Sequence, residues 1–412
     1  MSNYNYKIIQ KKIIEIITDE DYNNYLEDEK DDNIWKPLVN EHSVIADFRP
    51  DKNIILCSLE NGTGRNNLTM LSDFIKDRVD NGHGLPDKIY ITYTSEPYLD
   101  MGGEKVFSNV VEKGFYVTSK YSDVPCYNEN IECIFINGDL AIASNVKEYL
   151  KFNYLPMLPI QNIKTFGFPF GLLSRTRKRL TKLNANNKIA NYNSIPTKHF
   201  ICLNATPKEH RAKLITWLHE TNIIDKCHWS WLRRYATSAR HQSHWENVDG
   251  VNTAIFDFRK TKELDISLDE LETHINQDTV SDFYYLTDSL IDIGSETTPE
   301  PYQFITEKTW KPYLHGKVSF FFNCQSYYAI LKNLGFELYD EIFDYSFDTI
   351  VDASERQTEY HNELKRLSEI PIEELQKKIL SIKDKILRNR NHAWNCDLKT
   401  ISPFKEYPTL LP

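Results

Sequence analysis

The segment Phe304-Ile-Thr-Glu-Lys-Thr-Trp-Lys-Pro312 gathers residue types suited to a charged, hydroxylated ligand. Thr306 occupies the position of a helix N-cap, where backbone N–H groups and the helix dipole favour an anion. Lys308 adds a mobile positive charge suited to a diphosphate. Glu307 can accept hydrogen bonds from vicinal ribose hydroxyls, as acidic residues do in dinucleotide-binding folds. The same residues have a plainer use, with Glu307 favouring the helix start and Lys308 in solvent. Their context bears on the choice. About a hundred residues earlier, Lys198-His-Phe-Ile-Cys-Leu-Asn204 reads as a strand, followed by a loop and a helix over 208–220. Arg211 lies in the first turns of that helix, where a guanidinium fork can grip a diphosphate.

The elements around these residues alternate. Residues 53–59, 88–93, 114–118 and 132–137 read as strands, 68–79 and 143–152 as helices. Residues 155–195 hold several prolines, the basic cluster Arg175-Thr-Arg-Lys-Arg179 and a polar Asn-rich run, and read as a connection between domains. A second alternating pattern follows: a strand at 198–204, helix at 208–220, helix at 306–315, strand at 316–322 and helix at 325–334. Ile372, Leu375, Ile379, Ile382 and Ile386 then predict one long amphipathic helix over 371–391. Strands alternating with helices predict parallel α/β sheets. The expected domains are 1–190, 197–370 with the 198–220 and 304–312 segments, and 371–412 packing back toward the first.

The ordered set resembles the α1,3-fucosyltransferase-like GT-B glycosyltransferases and a group of phage and marine-virus proteins described as glycosyltransferases. The likeness covers residues 198–360 and includes Gly335-Phe-Glu-Leu-Tyr339 and Asp344-Tyr-Ser-Phe-Asp348. It implies two Rossmann-like domains facing a cleft and closed by a C-terminal helix. It also implies a nucleoside-diphosphate sugar as donor, held by the C-terminal domain. Asn204 and Arg211 match the family's first donor element, and Thr306, Glu307 and Lys308 its second. Glu296 falls where the family has an acid facing the donor sugar. By the same resemblance the reaction inverts the anomeric carbon, and Arg211 and Lys308 stabilise the leaving diphosphate. Such a transferase needs one base in the N-terminal domain to deprotonate the acceptor hydroxyl. Glu60, Glu96 and Asp139 each follow a strand there, and the sequence does not choose among them.

The remaining features narrow the field. No cofactor or metal is expected, since the Asp19-Glu-Asp21 run has no strand leading in, and His241 and His244 lack further ligands. Asn61-Gly-Thr-Gly-Arg65 lacks both phosphate-loop patterns. Trp229, Trp231, Trp245 and Tyr235 near Arg233, Arg234 and Arg240 read as core, or as a stacking platform for sugars and bases. A formal charge of −10 argues against general nucleic-acid binding. The Arg175–Arg179 cluster still leaves a modified base in DNA open as acceptor, beside a glycan or a protein. A non-catalytic carbohydrate- or nucleotide-binding protein is the reading from another class. Seven cysteines without a CxxC pair fit reduced thiols, and no signal peptide or membrane span is read, so a cytoplasmic setting is expected.

Overall fold

The structure, a computed structural model, describes residues 7–10, 13–16, 54–58, 88–93, 132–137, 163–167, 173, 176–177, 180–181, 186–204, 208–231, 283–296 and 304–396. Chain contacts group residues 1–174, 302–305 and 397–412 in one compact unit, and residues 175–301 and 306–396 in another.

The first unit carries a six-stranded sheet. β1 (Lys7–Gln10) pairs antiparallel with β2 (Ile13–Ile16), which pairs antiparallel with β3 (Ile54–Ser58). β4 (Lys88–Tyr93), β5 (Glu132–Asn137) and β6 (Ile163–Gly167) then follow β3 in chain order, all parallel. Runs such as Ile-Ile-Leu-Cys and Ile-Tyr-Ile-Thr suit a pleated strand because β-branched and aromatic side chains pack well across it. Two features depart from expectation. The acidic first fifty residues supply β1 and β2, and β6 lies inside the stretch read as a connection. The strand expected at 114–118 and the helices at 68–79 and 143–152 lie outside the described residues.

The second unit is a fully parallel four-stranded sheet with helices. Its elements are β7 (Lys198–Asn204), α1 (Glu209–Glu220), β8 (Cys227–Trp231), β9 (Ser289–Ser295), α2 (Glu307–His315) and β10 (Val318–Phe322). They are followed by α3 (Tyr327–Asn333), α4 (Ala353–Glu369), α5 (Ile372–Ser381) and α6 (Lys383–Asn395). Every residue of β9 and β10 is buried, as expected of parallel strands covered on both faces. The strand order is β10-β9-β7-β8. From β7 the chain passes through α1 to one flank, and from β9 through α2 to the other. Right-handed crossovers in opposite directions place α1 and α2 on opposite faces. The order thus reverses between β7 and β9, which is the topological switch point.

Aromatic side chains fill this core. The Phe320 ring stacks on Phe343 at 4.6 Å and on Tyr360 at 5.1 Å, and Tyr328 lies 4.2 Å from Tyr345. The Tyr360 hydroxyl lies 3.1 Å from both the Gly294 and Phe320 carbonyls, joining β9 to β10 from α4. The high Tyr and Phe content therefore serves packing in this unit.

The single helix expected over 371–391 is two. Ile382 (φ −105°, ψ 17°) separates α5 from α6, and its N–H bonds to the Ile379 carbonyl three residues back. The apolar spacing survives this tight step, since Leu375, Ile379, Ile382 and Ile386 are all buried. Both helices belong to the second unit, where α6 packs on α2 and the Trp394 indole donates to the Leu314 carbonyl at 2.7 Å. The expected connection also narrows. Ala190 and Asn191 donate to the His315 and Leu286 carbonyls, and the Gln376 amide donates to the Tyr192 and Ser194 carbonyls, so residues 190–194 are part of the second unit. In the basic cluster, Arg177 donates to the Ala393 carbonyl at 2.6 Å and contacts the Cys396 sulfur at 2.7 Å. It thereby stabilises the C-terminal end of α6, where a cation is favoured. Among the described residues no helix is long and apolar enough to cross a membrane.

Candidate functional site

Main-chain pairing between β7 and β9 ends short of their C-terminal ends. Their ladder runs from Lys198↔Ser289 to Ile201↔Asp292 and stops, although each strand continues three residues. Beyond that point β7 stays bonded to β8 as far as Asn204↔Trp231, and β9 to β10 as far as Ser295↔Phe322. The ladder between the two central strands therefore ends just below the switch point, the edge at which open α/β sheets bind their ligands.

Two helix starts and one strand end meet at this edge. α2 begins at Thr306, whose extended backbone (φ −101°, ψ −178°) and hydroxyl cap the helix by accepting from the Lys308 N–H at 3.3 Å. Gly316 ends it in the left-handed conformation (φ 61°), with the Lys317 N–H returning to the Pro312 carbonyl at 2.8 Å. A side chain at Gly316 would be strained by this positive φ. α2 is thus fixed at both ends. The helix start is also fixed from below. Glu296, the residue after β9, is fully buried, and its carboxylate accepts from the Thr306 N–H at 3.1 Å, from the Thr306 hydroxyl and from the Thr309 hydroxyl at 2.5 Å. Thr309, donating to Glu296, accepts from the Tyr327 hydroxyl.

Glu296 is therefore a strut beneath α2. The resemblance implies an acid facing a donor sugar at this position; in the structure its oxygens accept from the helix start they support.

Glu307 and Lys308 lie at the top of α2. Their side chains form an ion pair at 2.8 Å, with Glu307 43% and Lys308 17% exposed. Burial would raise the Glu307 carboxyl, but the Lys308 ammonium, the hydrogen bonds it receives and the Arg211 guanidinium outweigh burial and hold it below the usual carboxylate range. That influence of Arg211 places the first turn of α1 within electrostatic reach of the first turn of α2. Arg211 itself is 3% exposed. Asn204, at the end of β7, is also buried, with its N–H directed to the Ser230 hydroxyl at 3.3 Å and its amide to the Cys202 sulfur at 3.4 Å. The structure thus gathers Asn204, Arg211, Glu296, Thr306, Glu307 and Lys308 around one strand junction. Glu60, Glu96 and Asp139, like Asp19, Asp21, His241 and His244, lie outside the described residues. Trp229 meets His219 edge-on at 5.2 Å.

Two further residues belong to this rim, and the sequence reading passed over them. Lys208 is the N-cap of α1, and His210 is its second residue. The His210 imidazole Nε2 lies 3.0 Å from the Glu296 carbonyl oxygen. Burial foremost, then the charges of Arg211, Lys208 and Lys308, hold its pKa well below the ordinary histidine value. Lys208, Arg211 and Lys308 thus act on one point from two helices. Their signal in sequence was proximity to Arg211 alone.

This geometry can hold an anion between α1 and α2 and a hydroxylated group against Glu307. Among the described residues no three His, Cys, Asp or Glu side chains form a metal-binding group. No family model, no curated protein and no solved structure matches this chain.

Proposed function

We propose that this chain is a GT-B glycosyltransferase that moves a sugar from a nucleoside-diphosphate sugar to an acceptor hydroxyl. The observation that carries the reading is the convergence of Arg211, Glu307 and Lys308 at the switch-point end of a parallel sheet. The same residues carry the resemblance over residues 198–360.

In this reading the diphosphate lies between the first turns of α1 and α2, and Glu307 accepts hydrogen bonds from the ribose. Glu60, Glu96 or Asp139 takes the proton from the acceptor hydroxyl. The acceptor oxygen then forms a bond to the anomeric carbon on the face opposite the donor phosphate. The carbon–oxygen bond to the diphosphate breaks, and the electron pair leaves with the diphosphate. Arg211, Lys308 and the α2 N-terminus balance the charge that develops there. No metal step is invoked. Glu296 acts through Thr306 and Thr309 as a positioning residue. The first unit supplies the acceptor side, and a cytoplasmic setting fits the reduced cysteines.

Among acceptors, a glycan or a protein is the default and a modified DNA base the alternative. A DNA acceptor requires duplex binding that weakens steeply with salt. The deciding experiment is a thermal-shift screen with GDP-, UDP-, CMP- and dTDP-sugars, with and without EDTA, followed by donor hydrolysis. Stabilisation by one nucleotide class with slow hydrolysis is expected. Stabilisation without turnover on any acceptor would favour a non-catalytic binding protein, and no stabilisation at all would sink the reading.

A further inference from the structure

Main-chain pairing between β7 and β9 ends at Ile201↔Asp292, so ladder bonds do not join the last three residues of the two strands. His210 bridges the elements that follow them. It stands in the first turn of α1, beside Arg211, and its Nε2 reaches the carbonyl of Glu296 at the end of β9, 3.0 Å away. A carbonyl oxygen only accepts, so Nε2 carries the proton of this bond. The other side of His210 is held as well, since the Gln357 amide of α4 donates to its carbonyl oxygen at 3.2 Å. Glu296 in turn carries the start of α2 through Thr306 and Thr309. One chain of contacts therefore runs from α4 through His210 and Glu296 to the helix start that bears Lys308.

We propose that His210 is a positioning residue that latches the arginine-bearing start of α1 to the strand end supporting α2, so that Arg211 and Lys308 meet the same diphosphate. This inference rests on the reading of these strand ends as a diphosphate site. The electrostatics support a geometric role over direct charge contact. Arg211 and Lys208 act on the ring from its own helix and Lys308 from α2; with burial they keep it neutral, so at neutral pH it offers an anion no charge of its own. Its single N–H is committed to Glu296.

The latch has a specific chemical requirement, a donor at the position of Nε2, which glutamine can meet and leucine cannot. Asparagine keeps the polarity but is too short. The test measures dissociation constants of the full-length chain for inorganic pyrophosphate, GDP and UDP by calorimetry, with melting curves as the folding control. Wild type binds at least one probe, and Lys308→Ala weakens it. His210→Leu and His210→Asn are expected to weaken the same probe about fivefold to tenfold, the range for one lost hydrogen bond. His210→Gln is expected to stay within about twofold of wild type. If the leucine variant fails to fold, the asparagine and glutamine pair carries the comparison. Equal binding by wild type, His210→Asn and His210→Gln, with Lys308→Ala still weakened, overturns the latch and leaves the site standing. Equal losses in the asparagine and glutamine variants also overturn it, since glutamine retains the donor. Failure of wild type to bind any probe removes the site on which the latch depends.

Discussion

The two ends of the second sheet are built oppositely. At the N-terminal end, Asp288 ties three strands together. Its carboxylate accepts from the Thr197 N–H at 2.8 Å and hydroxyl at 2.7 Å, just before β7, and contacts the His228 ring of β8 at 2.9 Å, while Asp288 itself leads into β9. At the C-terminal end the ladder between the same central strands has ended, and Lys208, Arg211 and Lys308 gather there. One end commits its carboxylate to the chain. The other sets cations at the strand ends, with Glu307 as the exposed acid and Glu296 buried underneath. Clamping the N-terminal edge holds the strand register where the ladder at the opposite edge has ended, and a rigid binding site needs such support.

The largest expected effect tests whether Glu296 is a strut or a ligand contact. Glu296→Ala leaves the Thr306 N–H and the Thr306 and Thr309 hydroxyls without their acceptor in a fully buried place. A loss of about 3 kcal/mol or more in denaturant unfolding is expected. A variant that unfolds like wild type but no longer binds nucleotide would show instead that Glu296 faces the ligand. Lys308→Ala should do the reverse. Its ion pair is partly exposed and shielded by water, so its removal should change stability by less than about 1 kcal/mol. Binding of a nucleoside diphosphate should fall about tenfold or more, corresponding to about 1.4 kcal/mol. Calorimetry beside a melting curve separates the two outcomes, and a parallel loss of folding and binding would erase the distinction between strut and clamp.

Legibility in the sequence followed the range of the interaction. The expected strands at 88–93, 132–137 and 198–204 coincide with β4, β5 and β7, because each is an apolar β-branched or aromatic run with clear ends. The start of α2 was also legible, since a Thr cap acts over two residues. β1, β2 and β8 were missed because each is only four or five residues long and shows no sustained alternation. The break at Ile382 was hidden, since its apolar spacing continues through it. Contacts between distant segments left no local sign. Thr197 and His228 reach Asp288 across 91 and 60 residues, and His210 reaches Glu296 across 86. The partners of Glu296 were hidden for a related reason. An acid after a strand looks the same in sequence whether it faces a ligand or carries a helix, and only Thr306 and Thr309 above it decide.

The smallest expected effect concerns the clamped end. Burial would raise the Asp288 carboxyl, but the hydrogen bonds from Thr197 and His228 and the nearby imidazole outweigh it, so its folded pKa lies below the ordinary 3.8. An acid with a depressed folded pKa contributes stability that is present above its unfolded value and is lost as the pH falls through the folded one. Asp288→Asn keeps an acceptor for the Thr197 N–H but turns an amide donor toward the Thr197 hydroxyl or His228, for a cost of about 1 kcal/mol at pH 7. Its stability should therefore run parallel to that of wild type from pH 5 to 7 and approach it as the pH falls below about 4. Urea unfolding followed across that range measures both curves. If they stay parallel to the most acid point, the ionised carboxylate contributes nothing as a clamp, and the strands at that end are held by their ladders alone.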